Sequence, residues 1–150
     1  MTLNNFQFNT TPGLRFGSGE AKNSCKEIFN KLGSRILFIT DKGLMSLGLT
    51  KPTIQELKTM GEVEVFDEVE ADPSKKTLLT AIEIGKKFKA TGVIGFGGGS
   101  SMDVAKLTAL ILGSNEDLEK AWGVANAKGP RLPLVLIPTT AGTGSEVTPV

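Results

Sequence analysis

The sequence predicts a doubly wound α/β fold built around a parallel sheet. Three observations carry that prediction. Apolar runs of strand length alternate with stretches of helical period. One run, Ile36-Leu37-Phe38-Ile39, is apolar without interruption, as expected of a strand covered on both faces. The most unusual sequences of the chain all follow predicted strands: Thr40-Asp41, the stretch 95–103 (GFGGGSSMD) and the stretch 139–146 (TTAGTGSE). In open parallel sheets ligands sit beyond the carboxyl ends of the strands. These three sequences therefore mark one candidate site.

The elements follow in order. Residues 5–17 are β-prone and broken by Pro12-Gly13, which predicts an opening hairpin or extended arm. Residues 18–32 read as one helix, with Ala21, Cys25, Ile28, Phe29 and Leu32 on one face and Gly33 placed to end it. The strand 35–40 comes next, then a helical turn over 42–47. A helix starting near Thr50 has Pro52 in its first turn and Ile54, Leu57 and Met60 as its buried stripe. Residues 62–66 alternate charge with Val63, Val65 and Phe66, the pattern of a more exposed strand. Asp72-Pro73 reads as a helix N-cap followed by Pro. The helix it opens runs to about Lys89, with Leu78, Ala81, Ile82, Gly85 and Phe88 inward. A strand over 92–96 leads into the glycine run. Ser100 and Asp103 have capping-box spacing for the helix beyond, whose core face is Val104, Leu107, Thr108 and Ile111. Ser114 and Asp117 repeat that spacing for a short helix to Trp122. The final strand, 134–137, is expected to be buried and is bounded by Pro133 and Pro138.

Composition narrows the function. The chain has 150 residues, is 39% hydrophobic and 22% charged, and carries a formal net charge of +1 without a basic block. Nucleic acid is not an expected partner. No apolar run approaches the roughly 18 residues that span a bilayer, and the N-terminus lacks a signal-peptide pattern. A single cysteine fits a reducing, cytoplasmic location. There is no histidine and no Cys-x-x-Cys pair. An ordinary zinc or iron site and His-based acid–base chemistry are therefore not expected within these residues.

The glycine run reads as a phosphate cradle. Glycines admit close backbone approach, and the following helix start offers unpaired N–H groups and a positive dipole end. It is not G-x-G-x-x-G, since Ser100 takes the last place, and no P-loop sequence occurs. A plain structural turn is the competing reading. Asp41 either accepts from ribose hydroxyls or caps the turn that follows; a ribose role would disfavour a 2′-phosphate. Asp103 either caps its helix or shapes the phosphate site. Lys106 either reaches the site or, as its spacing suggests, lies on a solvated helix face. The segment 139–146 offers four hydroxyl side chains and two glycines, suited to a pyrophosphate or ribose. Glu146 is a poor nominee for a general base, and Cys25 and Trp122 are assigned to packing.

Two stretches together, GGGSSMDVAK (97–106) and PTTAGTGSEVT (138–148), closely resemble the paired motifs of the iron-containing (group III) alcohol dehydrogenases. Arg15-Phe16-Gly17-Ser18-Gly19 is similar to the family's hairpin end, and Thr40-Asp41-Lys42-Gly43 to its strand-end acid. The resemblance covers the whole chain. It implies a Rossmann-like, single but incomplete dinucleotide-binding domain over 1–150, preceded by a β-hairpin arm. It implies NAD as cofactor, with NADP as the alternative. By resemblance Asp41 contacts the adenosine ribose and Asp72 lies near the adenine. Gly98, Gly99, Ser100, Ser101 and Asp103 hold the pyrophosphate. Thr139, Thr140 and Thr143 contact the pyrophosphate and nicotinamide half, with Ser145 and Val147 lining the cleft. Family members carry a helical domain whose Asp and three His bind Fe²⁺ or Zn²⁺; no such ligands, and no catalytic residue, are assigned to this chain. It is thus expected to be a piece of a dehydrogenase acting on a small alcohol or aldehyde, inactive alone and dimeric through the arm at 6–16. The alternatives are a free-standing nucleotide-binding module and a relative of glycerol dehydrogenase or dehydroquinate synthase.

Overall fold

A computed structural model of the chain describes residues 11–121 and 126–148. Its strands are β1 (Arg35–Ile39), β2 (Glu62–Phe66), β3 (Gly92–Gly97) and β4 (Leu134–Pro138). They form one parallel sheet in the order β2-β1-β3-β4. The helices are α1 (Glu20–Asn23), α2 (Cys25–Leu32), α3 (Lys42–Ser46), α4 (Lys51–Lys58), α5 (Lys75–Phe88), α6 (Gly99–Ser114) and α7 (Leu118–Ala121). From β1 the chain moves outward to β2, then crosses back to β3 on the other side of β1. The strand order reverses there, which opens a crevice beyond the ends of β1 and β3.

Strand alternation divides the core into two layers. Ile36, Phe38, Ile94 and Phe96 pack with Cys25, Ile28 and Leu32 of α2 and Ile54 and Leu57 of α4. The Phe38 and Phe96 rings stack at 5.6 Å. Leu37, Ile39 and Val93 face the other way, against Leu78, Ala81 and Ile82 of α5 and Val104, Ala105, Ala109 and Ile111 of α6. Burial, helped by the nearby Glu56 carboxylate, pushes the Cys25 thiol up to about 11; the side chain serves as packing. Phe88, expected inward, is half-buried under the Arg35 guanidinium, 4.8 Å above its ring.

Several sequence expectations are corrected. The first helix breaks at Ser24, where φ −87° and ψ 2° leave the helical basin and the hydroxyl donates to Glu20 Oε2. Residues 11–17 contain no strand, and the rest of the expected arm lies outside the described residues. α5 is capped by Ser74, whose Oγ accepts from Thr77 N, and not by Asp72. Ser114 ends α6 instead of opening a helix; Asp117 Oδ1 accepts from Glu119 N at the start of α7. Trp122 lies outside the described residues. β4 is half-buried because, among the described residues, it has β3 as its one neighbour.

The largest departure is α6. It was expected to bury one face, yet Ser101, Met102, Ala105, Lys106, Ala109 and Leu110 are buried as well. The sheet, α5 and the segment crossing it at Leu132 surround it; Leu132 N donates to Ala109 O. Its seat on β3 depends on Gly95. A Cβ there would stand 2.7 Å from Ala105 Cβ and 2.9 Å from Leu136 Cδ2, with the Met102 Cα at 3.3 Å. Gly95→Ala is expected to destabilise the fold by about 1–3 kcal/mol, the range for overpacking a tight interior. Urea denaturation measures this, and an unchanged midpoint would contradict the close seat.

Candidate functional site

The crevice is floored by the turn from β3 into α6. Gly97 ends the strand at φ 153°, a conformation that side chains rarely adopt, and its Cβ would meet Ser101 Oγ at 2.7 Å. Gly98 is then the extended N-cap of α6 (φ −78°, ψ −172°), with no side-chain cap. The expected Ser100–Asp103 capping box is therefore not formed. α6 starts one residue before Ser100, so Ser100 and Ser101 lie inside its first turn. The early amides of this 16-residue helix are left for another acceptor.

The second motif is laid over this turn by the sheet register. Gly97 pairs with Pro138, and Thr139 N donates to Gly97 O at 2.9 Å. A Cβ on Gly98 would sit 3.6 Å from Thr140 Oγ1. One on Gly99 would sit 3.3 Å from Ser145 Oγ and 3.5 Å from Thr143 Cβ. The two glycine positions thus face hydroxyls across a gap that side chains would fill. Thr139, Thr140 and Thr143 are exposed, Ser145 is buried, and Val147 is 38% exposed. Ser145 Oγ donates to Asp103 Oδ2 at 3.4 Å.

Asp41 borders the same crevice. It follows β1 and caps α3, its Oδ1 accepting from Leu44 N at 2.9 Å. The cap reading is present in the structure. It is compatible with a ribose role, because two carboxylate oxygens offer about four acceptor sites. Leu44 of α3 in turn lies 3.3 Å from where a Gly97 Cβ would be. Asp41 also bridges to Glu68, in the segment after β2. Asp72 is exposed on the loop before α5, in the left-handed region at φ 58°.

Three features go beyond the sequence reading, which marks Thr40 only as the neighbour of Asp41 at a strand end. Thr40 is fully buried at the end of β1, and its Oγ1 has no hydrogen-bond partner among the described residues. A hydroxyl closing an otherwise apolar strand was the available signal. Lys106 is 5% exposed, which overturns the solvated-face expectation; its i,i+3 spacing from Asp103 was the clue. A cavity of about 350 Å³ lies beyond β2, lined by Lys42, Phe66, Glu68, Glu70, Ser74, Lys76, Thr77 and Thr80.

The iron-containing alcohol dehydrogenase model matches residues 12–150. The chain belongs to that family. It is 36% identical over 141 residues to sulfoacetaldehyde reductase of Bilophila wadsworthia, covering 93% of this chain and 36% of that protein. It is 40% identical over 139 residues to choline dehydrogenase of Bacillus subtilis, covering 90% and 35%. The solved structure of a 1,3-propanediol oxidoreductase matches 97% of this chain and 38% of its own, with TM-score 0.89 and 29% identity. That of sulfoacetaldehyde reductase from Bifidobacterium kashiwanohense in complex with NAD+ matches 89% and 36%, with TM-score 0.74 and 34% identity. The chain therefore spans a little over a third of the length of these members of the iron-containing alcohol dehydrogenase family.

The chain has no histidine, and among the described residues no three His, Cys, Asp or Glu side chains gather as a metal-binding group. These residues do not assemble an iron site. No helix among the described residues is long and apolar enough to cross a membrane.

Glu70, on the cavity rim, accepts from Thr77 Oγ1 and from Ser74 N, which holds its carboxyl down at about 2. A folded-state value below the ordinary 4.5 stabilises the fold above that pH, and the contribution disappears as pH falls toward 2. Urea midpoints of wild type and Glu70→Gln are expected to differ at pH 6 and to converge between about pH 4.5 and pH 2. A constant gap across that range would contradict the assignment.

Proposed function

We propose that this chain is the NAD+-binding part of a metal-dependent alcohol dehydrogenase acting on a small alcohol or aldehyde. The observation that carries the reading is the gap between Gly98-Gly99 and the Thr140, Thr143 and Ser145 side chains, opened at the uncapped N-terminus of α6. The residues fit the cofactor. Amides of Gly99, Ser100 and Ser101 would hold the pyrophosphate, since they need an acceptor that the described residues do not supply. The Thr139, Thr140 and Thr143 hydroxyls would donate to it and to the nicotinamide half, with Ser145 and Val147 lining the cleft. Asp41 would accept from the adenosine ribose hydroxyls, and Asp72 would lie near the adenine.

The acids favour NAD+ over NADP+. Asp41 and its bridge partner Glu68 stand together at the ends of β1 and β2, and Glu70 keeps its charge to low pH. A 2′-phosphate would meet that charge, partly offset by Lys42 and Lys76. Bound NAD+ supplies the hydride acceptor for oxidation of an alcohol carbon. This chain's residues hold it, orient it and surround it; iron or zinc and its ligands would come from other parts of the protein. The exposed Leu14 and Phe16 support pairing of two copies through the arm. The single buried thiol accords with a cytoplasmic location.

Titration calorimetry tests the reading. Wild type is expected to bind NAD+ more tightly than NADP+. Gly99→Val, which fills the gap, should weaken NAD+ by about tenfold or more, the equivalent of ~1.4 kcal/mol. Asp41→Asn should narrow the preference between the two cofactors. Equal affinity of Gly99→Val and wild type for NAD+ would refute the site.

A further inference from the structure

Lys106 is the charged group that the cofactor reading leaves unused. Its Nζ meets three acceptors: Asp103 Oδ1 at 3.2 Å, the Thr148 carbonyl at 3.2 Å and Thr148 Oγ1 at 3.3 Å. An ammonium has three N–H donors, so all three are engaged. Asp103 accepts from Ser145 Oγ through its other oxygen. The far half of the segment over the crevice is thus tied to α6 at two points, Ser145 and Thr148, both through side chains of α6. Its near end is tied by the backbone bond from Thr139 to Gly97. Between the ties, residues 140–143 are exposed and Gly144 is half-buried, with Gly142 and Gly144 both at positive φ.

We infer that Lys106 is a positioning residue that latches the segment 139–148 over the glycine turn and so sets affinity for the pyrophosphate–nicotinamide half of the cofactor. This rests on the cofactor reading above. The burial is unequal: the Lys106 side chain is 6% exposed and that of Asp103 53%. The cation is the fixed post, and lifting the segment would strip it of two of its three partners. Lifting it would exchange two charge-assisted hydrogen bonds for water, and hydrogen bonds to a charged group carry a net gain, so the closed position is favoured. One of those partners is a main-chain oxygen, which ties the backbone itself. The adenosine half, beyond Asp41, lies outside the latch.

The test combines amide hydrogen exchange with titrations of NAD+ and AMP, on wild type, Lys106→Met and Thr148→Val. In Lys106→Met, exchange within 143–148 is expected to rise by about tenfold or more while β3 amides keep wild-type rates. NAD+ should weaken by about tenfold and AMP by less than about twofold. Thr148 is exposed, so its valine variant preserves the fold even where Lys106→Met does not. It removes one acceptor, and should shift both readouts the same way by less. Unchanged exchange in 143–148, or equal weakening of NAD+ and AMP, would overturn the latch. A wild type that binds no NAD+, with exchange still raised in the variants, would sink the cofactor reading and the affinity role while leaving the tether itself.

Discussion

The close seat of α6 on β3 is the constraint from which the site follows. Gly95 removes the atom that would hold the helix away, and Ala105 and Met102 fill the space it leaves. The helix therefore runs directly beneath the end of β3, so its first turn opens into the crevice instead of beside it. Gly97 and Gly98 make the reversal within two residues, one at φ 153° and one extended. A bulkier strand residue at position 95 would shift the helix axis, and the amides that end at Gly99 would point elsewhere.

Parallel register does the rest. β4 pairs with β3 so that Pro138 lies opposite Gly97, and the next residue bonds straight back to Gly97 O. The threonine segment is thereby delivered over the glycine turn by the sheet, before any side chain of the segment takes part. Asp41 arrives by the same logic, one residue past the hydroxyl that closes β1. Three strand ends converge because the chain reverses its direction of strand addition between β2 and β3.

The sheet and its helices were legible because apolar runs and helical stripes are local patterns. Ile36 to Ile39 reads as a doubly covered strand, and is one. Local capping patterns misled where backbone geometry decided the helix start. Ser100 and Asp103 have capping-box spacing, but Gly98 takes the N-cap and Asp103 bonds to Lys106 and Ser145 instead. Asp72-Pro73 has the look of a start, yet Ser74, with Glu70 bonded to its amide, takes that place. Lys106 was read as solvated because helical period says nothing about a segment 42 residues later in sequence that covers it. The site residues themselves were legible as glycine and hydroxyl excess at strand ends. Which of them face one another was not, since that depends on register.

The polar groups of the latch and those of the crevice are treated differently by the fold. Those of the latch are satisfied within the chain: Lys106 by three acceptors, Asp103 by Lys106 and Ser145. Those of the crevice are not: the first amides of α6 have no side-chain cap, and Thr40 Oγ1 is buried without a partner among the described residues. Folded proteins satisfy the large majority of buried polar groups, because each one left alone costs roughly 1–3 kcal/mol. Two buried hydroxyls, Thr40 at the end of β1 and Thr108 within α6, lack a partner among the described residues, so such orphans are not confined to the crevice. What is particular to the crevice is the uncapped start of α6 beside the exposed Thr139, Thr140 and Thr143. Amides left for an outside acceptor, next to hydroxyl donors, are what a polar, anionic ligand requires.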